Sequence, residues 1–296
     1  MLLTLTLTPK TPIKSLTRGG LLEAPRMVRE QYGLSGLNIA TSLLKGADRP
    51  ALIALRDAAD RAGCACLVLV EPAPLALASA RAQQVDQALA RTARLVEAAS
   101  LLGCNSLALG VQGDSGDEAF ERAVDALREV AAAAEKRELN VLISPTDGLT
   151  AEPERVTELI KRVGGFRIGT YPDFETASKA EDPVAYLRRL APYAWAVSAA
   201  TREFVDLGDD TPPPAHPPRP QASEDDGDEP MDEVDEEPLI AAPEHVPYDL
   251  DAMVGAVASV GYDGTLAIDY RGDAGTLGLE QSCAALDAAL ARLAGG

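Results

Sequence analysis

Short apolar runs alternate with amphipathic stretches along nearly the whole chain. The runs fall at residues 2–6, 36–42, 66–70, 106–111, 140–144, 166–171, 194–198 and 265–270. Most are continuous rather than alternating, as expected of strands in a parallel sheet covered on both faces. Between them, residues 20–32, 50–62, 80–102, 117–137, 152–163, 183–191, 250–260 and 278–293 read as helices. In "DEAFERAVDALREVAAAAEKRE", Phe120, Val124, Leu127, Val130 and Ala131 recur at three- and four-residue spacing, while Glu and Arg take the other face. Asp117 stands at the start of that stretch and basic residues gather at its end, as the helix dipole favours. Eight strand–helix pairs predict a (β/α)8 TIM barrel. An open doubly wound sheet is the alternative, weakened because no G-x-G-x-x-G follows the first strand.

One stretch breaks the rhythm. Residues 204–247 carry 10 of the 21 prolines and 14 acids against one arginine, a local charge of −13 within a total of −19. Such a segment buries too little apolar area to offset its ordering entropy, so residues 205–247 are expected to be a disordered acidic insertion within a single domain spanning residues 1–296. It lies between strand 7 and helix 7, on the barrel face that carries active sites. It reads as a solvated low-complexity insertion, or else as a lid or a tail that binds a protein partner. The rest of the chain has a net charge of −6, and no basic patch interleaved with aromatics occurs, which argues against nucleic acid as a partner. No apolar run approaches the roughly 18 residues of a membrane span, and "MLLTLTLTPK" has no basic leader pattern; a cytoplasmic protein is expected. The four cysteines, Cys64, Cys66, Cys104 and Cys283, lie in apolar or helical stretches without zinc-site spacing and read as small buried hydrophobes.

Several longer stretches point to a family. "LGCNSLALGV", "FRIGTYPDFETASKAEDPVAYLRRLAPYAWAVS" and "YDLDAMVGAVASVGYDGTLAIDYRG" resemble the xylose isomerase-like TIM barrels, the sugar phosphate isomerases and epimerases related to endonuclease IV. The resemblance covers nearly the whole chain outside the acidic segment. It implies a divalent metal held by a Glu ending strand 5, an Asp ending strand 6, a His ending strand 7 and a Glu ending strand 8. The two glutamates would also move protons at neighbouring sugar carbons. In this chain those positions fall on Ser144, Asp173, Ser198 and Asp269, and a further family histidine falls on Thr176. Asp173 and Asp269 are therefore the candidate metal ligands.

The residues themselves test what the resemblance implies. The two histidines, His216 and His245, both fall in the acidic segment, so no strand tip is expected to offer an imidazole. An oxygen-only site suits Mg2+ or Mn2+, with Glu71 or Asp147 as helpers; the expected cofactor is none, or a weakly bound divalent metal. An enediolate mechanism needs a base and stabilisation of the oxyanion. Ser144 is no base at neutral pH, and Asp269 is one methylene shorter than Glu. Asp269 and Glu71 are the candidate catalytic groups. Asn38, Gln112, Ser144, Ser198, Arg202 and Arg271 are the candidate substrate-binding groups. The two arginines either grip a phosphate or carboxylate or pair with nearby acids such as Glu203 or Asp273; Lys10 and Lys14 read as surface charges. The expected function is an isomerase- or epimerase-like barrel that binds or acts on a small sugar or sugar phosphate with its metal site largely lost. The alternative is a non-catalytic binding or scaffold protein. DNA repair of the endonuclease IV kind fits poorly with an acidic chain lacking a histidine cluster.

Overall fold

The computed structural model describes residues 1–13, 20–205 and 242–295. Eight strands form one sheet: β1 Leu2–Leu7, β2 Gly36–Ala40, β3 Ala65–Leu75, β4 Ser106–Val111, β5 Asn140–Ser144, β6 Ile168–Thr170, β7 Ala196–Thr201 and β8 Thr265–Tyr270. Every hydrogen-bonded neighbour pair is parallel, and the order is β6-β5-β4-β3-β2-β1-β8-β7. The two ends of that order meet through parallel bridges Thr170–Ala194 and Asp173–Ser198. The sheet therefore curls into a (β/α)8 barrel rather than the open doubly wound alternative.

Among the described residues eight helices of two turns or more follow the strands in turn: α1 Ala24–Tyr32, α2 Arg49–Ala62, α3 Ala82–Leu102, α4 Asp117–Glu135, α5 Pro153–Val163, α6 Pro183–Leu190, α7 Leu250–Ala258 and α8 Gly275–Gly295. Asp48, Asp182 and Asp249 start α2, α6 and α7 by accepting a hydrogen bond from the backbone N–H three residues on. None of the helices among the described residues is long and apolar enough to cross a membrane.

Strand periodicity sorts the side chains into two layers. Leu3, Leu5 and Leu7, Leu37 and Ile39, Leu107 and Leu109, and Leu266 and Ile268 join the main core between strands and helices. The alternate positions enter a smaller core inside the barrel, made of Val68, Ala108, Leu142, Tyr171 and Ala196. Thr4, Thr6, Asn38, Asn140 and Ser198 are buried polar residues of that alternate parity. The alternation "LTLTL" in β1 thus separates a leucine face for the helices from a threonine face for the barrel interior.

Four strands differ from the sequence expectation by more than one residue, and β7 is one of them, starting at Ala196 and running on to Thr201 instead of spanning 194–198. β2 stops at Ala40 and continues as a 3-10 turn, Thr41–Leu44. β3 runs on to Leu75, and Gln112 N–H donates to the Leu75 carbonyl at 2.8 Å. β6 is reduced to three residues; it follows Gly164 and Gly165, both at positive φ, and Phe166 before it is exposed. The cysteines are free and buried, and burial pushes the Cys64 thiol up to about 11 and Cys66 up to about 12, so both stay protonated.

Of the segment expected to be disordered, residues 205–247, Val205 and residues 242–247 are described. Residues 206–241, including His216, lie outside the described residues, as does Lys14. Residues 242–247 are described and fold back on the end of β7. Val205 N–H donates to Glu244 O and Val246 N–H to Glu203 O, each at 2.9 Å, around an antiparallel bridge between Phe204 and His245.

Candidate functional site

The C-terminal strand tips surround a cavity of about 580 Å3 lined by Thr6, Thr8, Lys10, Ser42, Ser144, Thr146, Thr176 and Ser198, with the charged groups Asp173, Arg202, Asp269 and Arg271. β6 ends at Thr170, and the chain turns through Pro172 to Asp173. Ser198 N–H donates to the Pro172 carbonyl at 2.8 Å and fixes this turn against β7. Asp173 then caps the one-turn helix Phe174–Ala177, accepting from Thr176 N–H at 2.8 Å and from the Thr176 hydroxyl at 3.0 Å.

On the opposite side of the seam, Asp269 and Arg271 stand two residues apart on the inward face at the end of β8. The Arg271 guanidinium reaches between the acids. Nε donates to Asp269 Oδ2 at 3.0 Å, Nη1 to Glu175 Oε2 at 2.6 Å, and Nη2 to Asp173 Oδ2 and Asp269 Oδ2 at 2.6 Å each. Longer contacts run from Nη1 to Asp173 Oδ1 at 3.3 Å and from Nη2 to Ser198 Oγ at 3.5 Å. Arg202 donates through Nε to the other Glu175 oxygen at 2.7 Å. Three acids and two arginines thus form one network, in which the hydrogen bonds are charge-assisted.

Burial and charge act against each other in this network. Burial pushes the Asp269 carboxyl up and Asp173 adds to the rise, while Arg271 opposes it; the net shift is upward. Burial works against the Arg271 cation, but Asp173 and Asp269 outweigh it and hold it protonated. Burial also works against charged Glu175, yet the bonds from Arg271 and Arg202 hold its pKa below the ordinary value.

Of the residues singled out from sequence, Asp173, Asp269, Arg202, Arg271, Ser144 and Ser198 meet around this cavity. The acids the arginines meet are Asp173, Asp269 and Glu175, not Glu203 or Asp273. Glu71 also lines the cavity, but its Oε2 is held by Arg91 of α3 at 2.6 Å, away from the acid cluster. Asn38 is fully buried below the mouth and donates to the Tyr171 hydroxyl at 3.1 Å, leaving its own carbonyl oxygen without a partner. Gln112 and Asp147 are exposed and stand outside the cavity lining.

His245 corrects the expectation that both histidines lie in unstructured chain. It is 7% exposed and packs between the Phe204 and Tyr248 rings, with centroids at 5.3 and 4.3 Å. Arg202 N–H donates to its Nε2 at 3.1 Å, so Nδ1 carries the proton and donates to the Tyr248 carbonyl at 2.9 Å. Burial lowers its pKa. Both ring nitrogens are spent on holding the chain behind Arg202, and neither is free to bind a metal.

Glu175 is the member of the cluster that sequence reasoning missed. Its signal was the second acid in "PDFE", two residues after Asp173.

A divalent metal does not fit this arrangement. The carboxylate oxygens that would hold it accept from a guanidinium, and Ser144 and Ser198 bring only neutral hydroxyls to the lining. Among the described residues no group of three His, Cys, Asp or Glu side chains is arranged to hold a metal ion.

No curated protein matches the chain. Among solved structures, 3-keto-D-glucoside 4-epimerase from E. coli is similar with a TM-score of 0.68 at 13% identity, over 97% of this chain and 99% of that one. An L-ribulose 3-epimerase gives a TM-score of 0.70 at 12% identity over 99% and 97% of the two chains. The IOLI protein with a bound zinc atom gives 0.66 at 14% identity over 99% and 98%. At such identities the likeness is one of fold. The family model described as Xylose isomerase-like TIM barrel matches residues 30–289, and the chain therefore belongs to the xylose isomerase-like TIM barrel family.

Proposed function

We propose that this protein is an isomerase- or epimerase-like barrel that takes a small sugar or sugar phosphate in its mouth and needs no divalent metal to do so. The observation that carries the reading is the cavity itself: about 580 Å3, with threonine and serine residues among its largely apolar lining and a carboxylate–guanidinium network on one wall. Hydroxyls of this kind both donate to and accept from sugar hydroxyls. The structural relatives named above include sugar epimerases, which supports the ligand class. Lys10 and Arg202 line the same cavity and supply positive charge for a phosphate.

Asp269 is the group for a proton transfer. It stands at a strand tip with its pKa raised, and its bonds to Arg271 all run through Oδ2, which leaves Oδ1 outside that pairing. In this role it would take a proton from the carbon next to the sugar carbonyl and return it to the same or the neighbouring carbon. Nearby hydrogen-bond donors would stabilise the oxyanion. A second reading, binding without turnover, is favoured by Ser144 at the position of a second base and by the engagement of all three acids in ion pairs.

Calorimetry with a panel of ketoses and ketose phosphates, followed by incubation of each binder in D2O, tests both. The expected result is saturable binding together with deuterium entering the substrate, with Asp269→Asn abolishing the exchange and keeping the binding. Binding without exchange selects the second reading. Failure of every sugar and sugar phosphate to bind removes both.

A further inference from the structure

Arg271 occupies a place of its own in the barrel mouth. The three carboxylates around it come from two separate chain segments, the Asp173–Glu175 turn after β6 and the end of β8, and their side chains are only 12, 16 and 12% exposed. Uncompensated acids so close and so shielded repel one another and demand a cation. The five N–H donors of Arg271 meet that demand, since its hydrogen bonds run to all three acids, with Ser198 at the edge. A guanidinium is charged at any attainable pH, so the position is not vacated when the solution becomes alkaline.

We infer that Arg271 is a built-in cation that takes the place of a divalent metal between Asp173, Glu175 and Asp269, completing the cluster and closing it to metal. A hard ion such as Mn2+ is held by oxygen ligands, and carboxylates are the strongest ones within reach. To bind here it would have to displace a guanidinium already bonded to them, leaving that cation partly buried and unpaired. With the guanidinium in place the three acids are not arranged to hold a metal ion; its removal frees carboxylates that have the chemistry of metal ligands. A consequence follows for recognition: Arg271 has no donor to spare, so an anionic group in the cavity falls to Arg202 and Lys10.

The test is Mn2+ uptake by the folded chain, read from the free-ion EPR signal and from the melting temperature, and it is independent of whether a sugar binds. Wild-type protein is expected to leave the signal unchanged at neutral and alkaline pH. Arg271→Ala is expected to take up about one Mn2+ per chain, at least about a hundredfold more tightly than wild type, with a rise in melting temperature on adding the ion. Adding Asp173→Asn to that variant abolishes the uptake. Arg271→Lys retains a cation and stays metal-free. If Arg271→Ala is insoluble as made, growth with added Mn2+ recovers folded protein. One Mn2+ per chain in the wild type overturns the inference. So does an Arg271→Ala chain that binds no more tightly than wild type, or one that Mn2+ fails to recover.

Discussion

At the scale of residues, Asp173 is held from two sides, as the cap of a one-turn helix and as a partner of Arg271. Glu175 ties Arg271 to Arg202. Glu175→Gln keeps the shape but removes the charge, and near pH 7 it should cost roughly 1–2 kcal/mol, because charge-assisted bonds to partly exposed groups are replaced by neutral ones. The sign with pH follows from linkage. The folded-state pKa of Glu175 lies below its ordinary 4.5, so its contribution is present above that value and is lost as pH falls through the folded-state value. Urea denaturation of the pair should therefore show the gap persisting through the ordinary carboxylate range and closing only at more acid pH. A gap that is constant with pH would mean that the charge of Glu175 contributes nothing.

At the scale of elements, the seam between β6 and β7 and the exit of β8 set the cluster. β6 is short, and the bridge from Asp173 to Ser198 continues the seam beyond it. β8 leaves the barrel through Gly272, packed so closely on the Arg202 backbone that an added Cβ would clash with the Arg202 carbonyl oxygen. That close approach brings the two arginines to one acid. Gly272→Ala should cost roughly 1–3 kcal/mol by overpacking against a rigid backbone. Unfolding at wild-type denaturant concentration would refute this contact. On the other side of Arg202, His245 accepts the Arg202 N–H, and the Tyr248 hydroxyl bonds the Ala200 carbonyl, so the returning chain is fastened to β7 at two points.

At the scale of the whole molecule, the described flanks of the acidic segment are hydrogen-bonded to each other. The paired strands at Glu203–Val205 and Glu244–Val246 bring the two ends of the break together. Replacing residues 209–237 by a short Gly-Ser linker should therefore leave stability within about 0.5 kcal/mol of wild type, since loop-closure entropy changes slowly with length. A large fall in melting temperature would show that the segment supports the barrel. The same deletion, assayed for sugar binding, separates an insertion from a lid.

The amino-acid sequence by itself determined the number and order of strands and helices, because strand and helix periods are local properties of the chain. It also marked Asp173, whose neighbours "TYPD" place a carboxylate just past an apolar run, and, through the family resemblance, Asp269 in "LAIDY". It did not reveal that His245 belongs to the folded barrel, since the acidic composition around it masked two hydrogen bonds made by the ring. Nor did it reveal which acids Arg271 would meet. Asp173 and Arg271 are 98 residues apart, and their contact exists only because the barrel closes β8 and β6 around β7. Only the tertiary structure decided that the cation between those carboxylates is a side chain, because side-chain partners across a closed sheet depend on register and curvature that no local pattern encodes.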